Sequence, residues 1–192
     1  MVEVRPADAS RLADVGAVLA PKGGPACWCL YYRLSSSDYR AADHADRPAM
    51  MRARLEHAPA PGLVAYIDGE PVGWCGLGPR SEMERLARSR TIPAVDERPV
   101  WSIVCFLVRS GYRRRGVARA LLDGAIAYAR EQGAPALEAY PVDPAGGRID
   151  TSFAYVGTTS MFEAAGFRRV VETGARSAGL PRWLMRLDLA PG

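Results

Sequence analysis

The chain has 192 residues, 48% of them hydrophobic and 24% charged, with a formal net charge of +4. That length suits one domain, able to hide roughly 70% of its unfolded surface, and the composition excludes a disordered chain, a collagen and a coiled coil. The longest apolar runs, such as Val100–Val108 with Ser102 inside it, fall far short of the roughly 20 residues that span a bilayer.

Met1–Asp8 is charged where a signal peptide would be apolar. A cytoplasmic protein without a membrane partner is expected. Of the 25 basic residues only Lys22 is a lysine, a bias that points to genome composition. The net charge gives no reason to expect a nucleic-acid partner. More informative is the dense group Arg113-Arg114-Arg115, with Arg109 and Arg119 close by. Cys27, Cys29, Cys75 and Cys105 lack a second Cys-x-x-Cys and a histidine at ligand spacing, so neither a metal nor a disulfide is expected. Cys75 and Cys105 lie in strand-like runs and read as small core residues.

In chain order, Val2–Arg5 reads as a strand and Ala9–Ala20 as a helix, capped by Asp8 or Ser10 and stopped by Pro21. Pro21–Pro25 is a loop, and Cys27–Arg33 is compact and aromatic without a clear type. Tyr39–Ala58 is helical, with Pro48 marking a break or a second start. Gly62–Ile67, Asp68-Gly69 and Pro71–Leu77 form a hairpin signal. Ser81–Arg88 looks like a helical turn opened by a capping box at Ser81 and Glu84. Val100–Val108 is a central strand, Gly116–Gln132 a helix stopped by Gly133, and Leu137–Val142 a strand. Asp143–Asp150 is a loop, Thr158–Ala165 a short helix, and Arg168–Thr173 and Trp183–Leu189 the last strands. The order is that of a mixed α/β domain around one sheet, 1–192, with a βαβ crossover at its centre.

The junction from Val108 to Arg119 leads from a central strand into a helix. A helix start offers unpaired N–H groups and the positive end of the macrodipole. Gly116 leaves room for a phosphate at the backbone, and several Arg side chains add charge. The junction lacks the Gly-Lys-Ser/Thr of a Walker loop and the spacing of a dinucleotide turn.

Arg113-x-x-Gly116-x-Ala118, preceded by a strand and Tyr112, resembles the Gln/Arg-x-x-Gly-x-Gly/Ala signature of the GNAT superfamily of N-acetyltransferases. Met161-Phe162-Glu163-Ala164-Ala165-Gly166-Phe167 is similar to the family's Tyr-Glu-x-x-Gly-Phe segment. The resemblance is strongest over Val100–Phe167. It implies a mostly antiparallel sheet flanked by helices, with strands 4 and 5 splayed, and acetyl transfer from acetyl-CoA to an amine. By the same resemblance the cofactor's diphosphate would lie on Arg113, Arg114, Arg115, Gly116, Val117, Ala118 and Arg119. Its pantetheine arm would pair with Phe106, Leu107 and Val108, one of whose N–H groups would face the thioester oxygen.

The chain departs from the family at the proton-transfer positions. Ser102 and Tyr140 stand where relatives carry a Glu, and Phe162 stands where they carry a Tyr. Tyr140 and Ser160 are therefore the candidate catalytic residues. Asp143 and Asp150 read as turn formers, and Glu138, which shares a face with Tyr140, as a surface residue or a supporting base. Trp28, Tyr31 and Tyr32 are candidates for an acceptor wall, able to hold an apolar or cationic group, whereas Trp74 and Trp101 read as core. The acceptor expected is a small-molecule amine. A protein or peptide acceptor, a non-catalytic acyl-CoA-binding module and a homodimer remain open.

Overall fold

A computed structural model describes residues 1–22, 26–144 and 154–189. Gly23-Gly24-Pro25 of the first loop and Asp150 lie outside the described residues. Seven strands form one sheet in the order β1-β2-β3-β4-β5-β7-β6. They are β1 Val2–Pro6, β2 Gly62–Ile67, β3 Glu70–Pro79, β4 Trp101–Val108, β5 Ala136–Ala139, β6 Arg168–Ser177 and β7 Leu180–Asp188. Neighbours are antiparallel except β4 and β5, which run parallel on either side of helix α5, Val117–Glu131.

Each face of the sheet carries its own core. On one side α5 buries Val117, Leu121, Leu122, Ala125, Tyr128 and Ala129, a stripe at helical spacing. Each large apolar side chain so buried stabilises by about 1.5–3 kcal/mol. The helix lies close because Gly73 faces it: a Cβ there would sit 2.7 Å from Cγ1 of Val117. Phe162, from the short helix α6 at Thr159–Glu163, joins the same core. The opposite face is covered by α1 (Leu12–Leu19), α2 (Ser36–Ala41), α3 (Arg47–Leu55) and α4 (Glu84–Ala87), whose apolar residues pack with Trp28, Trp74 and Tyr140. No described helix is long and apolar enough to cross a membrane.

The Asp68-Gly69 turn joins β2 to β3 with φ of 52° and 81°, the left-handed pair a two-residue hairpin demands. The helical stretch expected over Tyr39–Ala58 is two helices, α2 and α3, and Pro48 marks the second start, in the first turn of α3. The capping box at Ser81 and Glu84 does not form. Arg80–Glu82 is a 3-10 turn, and Met83, fully buried, precedes α4 without a side-chain cap. The last two strands are longer than their apolar pattern predicts. They meet at a second left-handed pair, Ala178 (φ 50°) and Gly179 (φ 78°). The largely exposed Glu172–Arg176 stretch hides this hairpin from a hydrophobicity reading.

Glu138 is not a surface residue: it is 1% exposed. Its carboxylate accepts from Nε and Nη2 of Arg186, at 3.1 and 2.6 Å, and from the Tyr140 hydroxyl at 3.0 Å. Arg80 stands 3.7 Å away, and Asp96 holds the far side of Arg186. Buried charge is tolerated only when paired in this way.

Candidate active site

β4 and β5 pair only over Trp101–Leu137, Ser102–Glu138 and Ile103–Ala139. Beyond Ile103 β4 runs on for five residues with no paired strand on that side among the described residues, whereas β5 ends at Ala139. The parting coincides with a bulge. Gly76 faces Cys105 and Leu77 faces Ile103, so Val104 is the extra residue, and both Val104 and Cys105 turn to one face. The Arg109 N–H donates to the Val72 carbonyl on the β3 side. Strand alternation then directs the polar groups of Leu107 toward β3 and those of Phe106 and Val108 toward the open edge. There the Val108 carbonyl accepts from Nε of Arg113 at 3.4 Å.

The open edge leads into the predicted anion site. Arg114 (φ 60°) and Gly116 (φ 78°) both take left-handed backbone, folding the turn onto the start of α5. No side chain caps that start and no acidic residue lies in its first turn. The first-turn amides, Val117, Ala118 and Arg119, thus face outward without an intrahelical partner. A Cβ on Gly116 would meet nothing within 4 Å among the described residues, which leave the space above it open. A groove of about 590 Å³ runs from Phe106, Leu107 and Val108 past Arg113, Arg114 and Gly116 to Val117, Ala118 and Arg119. Arg119 is also anchored, donating to Asp123 at 3.0 Å and to the Ala164 carbonyl at 3.1 Å, which ties α5 to α6. Arg115 lies over the Tyr112 ring, 5.3 Å from its centroid, and does not line the groove.

On the other side of β4 lies a second cavity, of about 290 Å³. Tyr31, Tyr32 and Tyr39 line it together with Cys27, Cys29, Val104 and Cys105. Trp28 does not: it turns inward at φ 50°, and its ring packs over Gly16 of α1. Leu107 and Tyr155 line both spaces. Tyr155 is 41% exposed, and the part of its ring that is covered holds the phenol above its ordinary pKa, assisted by Tyr32 and opposed by Arg182. Arg182 donates from Nη1 to the Tyr32 hydroxyl at 3.0 Å and from Nε to the Tyr140 carbonyl at 2.8 Å. The Cys29 thiol is drawn down to about 6, first by a hydrogen bond from Cys105, then by the Arg33 charge against the cost of burial.

The two expected catalytic side chains line neither space. Tyr140 is 1% exposed. Its hydroxyl meets Ser102 (2.7 Å), Glu138 and Arg80, and burial with the Glu138 charge raises its pKa. Ser160 is exposed on α6, 3.1 Å from the Thr158 hydroxyl that caps the helix. Asp143 accepts from Arg169 at 2.6 Å, on the surface. Tyr155 was missed by sequence reasoning. Its only signal is an aromatic residue in the Gly-rich stretch before α6, with no periodicity to mark it.

The acetyltransferase (GNAT) family model matches residues 28–146, well over half of the chain. A comparison with curated protein sequences finds no match. Among solved structures, yncA from Salmonella typhimurium, with its cofactor acetyl-CoA, is 19% identical at a TM-score of 0.54, covering 100% of this chain and 98% of its own. The NatC complex bound to Gag peptide and CoA contains a chain 15% identical at a TM-score of 0.56, covering 98% and 99%. The ribosomal-protein-S18-alanine N-acetyltransferase from Escherichia coli is 11% identical at a TM-score of 0.54, covering 100% and 96%. At these identities the structures show a shared fold, and the family model with the groove at the splayed strands shows the rest: the chain belongs to the GNAT acetyltransferase family, whose acyl donor is acetyl-CoA.

Proposed function

We propose that the chain is an N-acetyltransferase that moves the acetyl group of acetyl-CoA directly to the primary amine of a small molecule. The observation that carries this reading is the shared wall of Leu107 and Tyr155, where the groove along β4 meets the aromatic cavity. Donor and acceptor spaces touch across one strand, so no covalent relay through the protein is needed.

The residues fit acetyl-CoA. The cleared space over Gly116, the uncapped helix start and the groove length along Phe106–Val108 suit a diphosphate joined to an extended amide-bearing arm. The first-turn amides, with Arg113 and Arg114, would hold the diphosphate, and Arg115 would add charge from the flank. When bound, acetyl-CoA supplies the acetyl group as a thioester. The outward N–H of Phe106 would hydrogen-bond the thioester oxygen and stabilise the charge that develops on it. Tyr155, protonated at neutral pH and standing where the two spaces join, would give its proton to the departing sulfur. Tyr140 and Ser160 stay outside this scheme because the hydroxyl of the first is enclosed by partners and that of the second lines neither space.

A peptide acceptor is the second reading, since the NatC structure is bound to Gag peptide. The small size of the aromatic cavity favours a small molecule. The test is calorimetry with acetyl-CoA, followed by CoA release with a panel of amines and N-terminal peptides. Micromolar binding and turnover on small amines are expected. Binding without turnover would leave an acyl-CoA-binding module, and no binding would remove the proposal.

A further inference from the structure

Resting on that reading, we infer that the acceptor is an aromatic amine, one that reaches the cavity uncharged at neutral pH, and not an alkylammonium. The cavity wall is already positively charged. The Arg85 guanidinium lies over the Tyr31 ring, 4.3 Å from its centroid, and that of Arg47 over Tyr39 at 4.4 Å. Arg182 stands behind Tyr32, donating to its hydroxyl. A cation attracted to these rings would have to approach three fixed cations of the same sign.

No carboxylate lines the cavity among the described residues. The lining group drawn toward its anion is Cys29, and Arg33 matches it within the wall. Nε of Arg85, Nε of Arg47 and Nη2 of Arg182 are buried without a hydrogen-bond partner among the described residues. The charged groups behind the rings are thus donors, and the cavity lining offers phenol oxygens and sulfur but no carboxylate among the described residues, a poor match for an ammonium group with three N–H donors. An alkylamine with a pKa near 10.4 is uncharged in only about one molecule in 2,500 at pH 7. A charged wall lowers that share further inside the cavity. An aromatic amine, whose conjugate acid is far stronger, is already neutral and presents a flat face to Tyr31, Tyr32 and Val104.

The same feature removes the need for the missing carboxylate base. The amine lone pair forms the C–N bond while the C–S bond breaks. The nitrogen releases one proton to water, the sulfur takes one from Tyr155, and water reprotonates Tyr155, so the protons balance.

The test compares aniline and 4-aminobenzoate with benzylamine, phenethylamine and an N-terminal peptide in the CoA-release assay, beside calorimetry with acetyl-CoA. The aromatic amines should exceed the alkylamines by about 100-fold or more in kcat/KM at pH 7. Raising the pH to 9 should narrow the gap about tenfold or more, as the neutral alkylamine fraction grows. Arg85→Gln, which removes one wall charge outside the lining, should shrink the ratio several-fold, and Arg85→Lys should keep it. Equal or faster turnover of the alkylamines or the peptide at pH 7 would overturn this inference and leave acetyl transfer standing. Failure to bind acetyl-CoA would instead overturn the reading on which it rests.

Discussion

The ring of Phe162 meets that of Phe106 edge-on, with centroids 6.0 Å apart and planes at 63°. Phe162 is fully buried and also touches Phe167, at 5.0 Å. Its segment resembles the family's Tyr-Glu-x-x-Gly-Phe run with Phe in place of Tyr, and its ring packs in the core and does not line the groove. A hydroxyl added there would enter a side chain packed among the Phe106 and Phe167 rings. Phe162→Tyr should lower stability by about 1–3 kcal/mol in urea titration and leave kcat unchanged. A rise in kcat would return the proton-donor role to α6.

Tyr155→Phe should reduce kcat about 100-fold or more, with acetyl-CoA affinity unchanged by calorimetry. Partial burial raises the Tyr155 pKa, so its protonated donor form persists past the ordinary tyrosine value. Turnover should therefore hold as pH rises and decline only above about pH 10. That decline should be missing from the variant.

Gly116 combines a φ of 78° with open space at its Cβ position. Gly116→Ala should cost about 1–2 kcal/mol of stability through backbone strain alone and retain acetyl-CoA binding. Gly116→Asp adds a negative charge where the diphosphate is proposed to lie, at a helix start that favours anions. It should abolish measurable binding. Unchanged affinity in the aspartate variant would remove the groove assignment.

Removing Arg186 leaves the Glu138 carboxylate buried with Arg80 at 3.7 Å and the Tyr140 hydroxyl. Arg186→Met should cost about 3–5 kcal/mol. Pairing it with Glu138→Gln should recover a large part of that loss in a double-mutant cycle. Simple additivity would deny the coupling.

Arg98 and Arg168 hold the Asp188 carboxylate below its ordinary pKa. A depressed carboxylate contributes stability above its unfolded value, near pH 3.9, and loses it as pH falls through the lower folded value. Asp188→Asn should therefore flatten the fall in urea midpoint between about pH 4 and pH 2. An unchanged slope would assign acid unfolding to other carboxylates.

Much of the fold could be read in advance because its signals are local. The Asp68-Gly69 turn, the α5 stripe from Val117 to Ala129 and the stop at Gly133 (φ 73°) each depend on neighbours a few residues away. Glu138 misled because alternation assigns a residue to a face without saying what covers it. Arg186 and Arg80 arrive from β7 and from the end of β3, 48 and 58 positions away. The β6–β7 hairpin was hidden for the opposite reason, since an exposed edge carries little apolar pattern.

The sequence by itself determined a glycine turn onto an uncapped helix start after a buried strand, because both follow from residue types in order. Only the tertiary structure decided that β4 parts from β5 at Val104, that Tyr140 is enclosed and that Tyr155 stands between groove and cavity. Those facts depend on which distant side chains compete for one buried hydroxyl and where a sheet loses a neighbour. Contacts of that kind leave no mark on spacing along the chain.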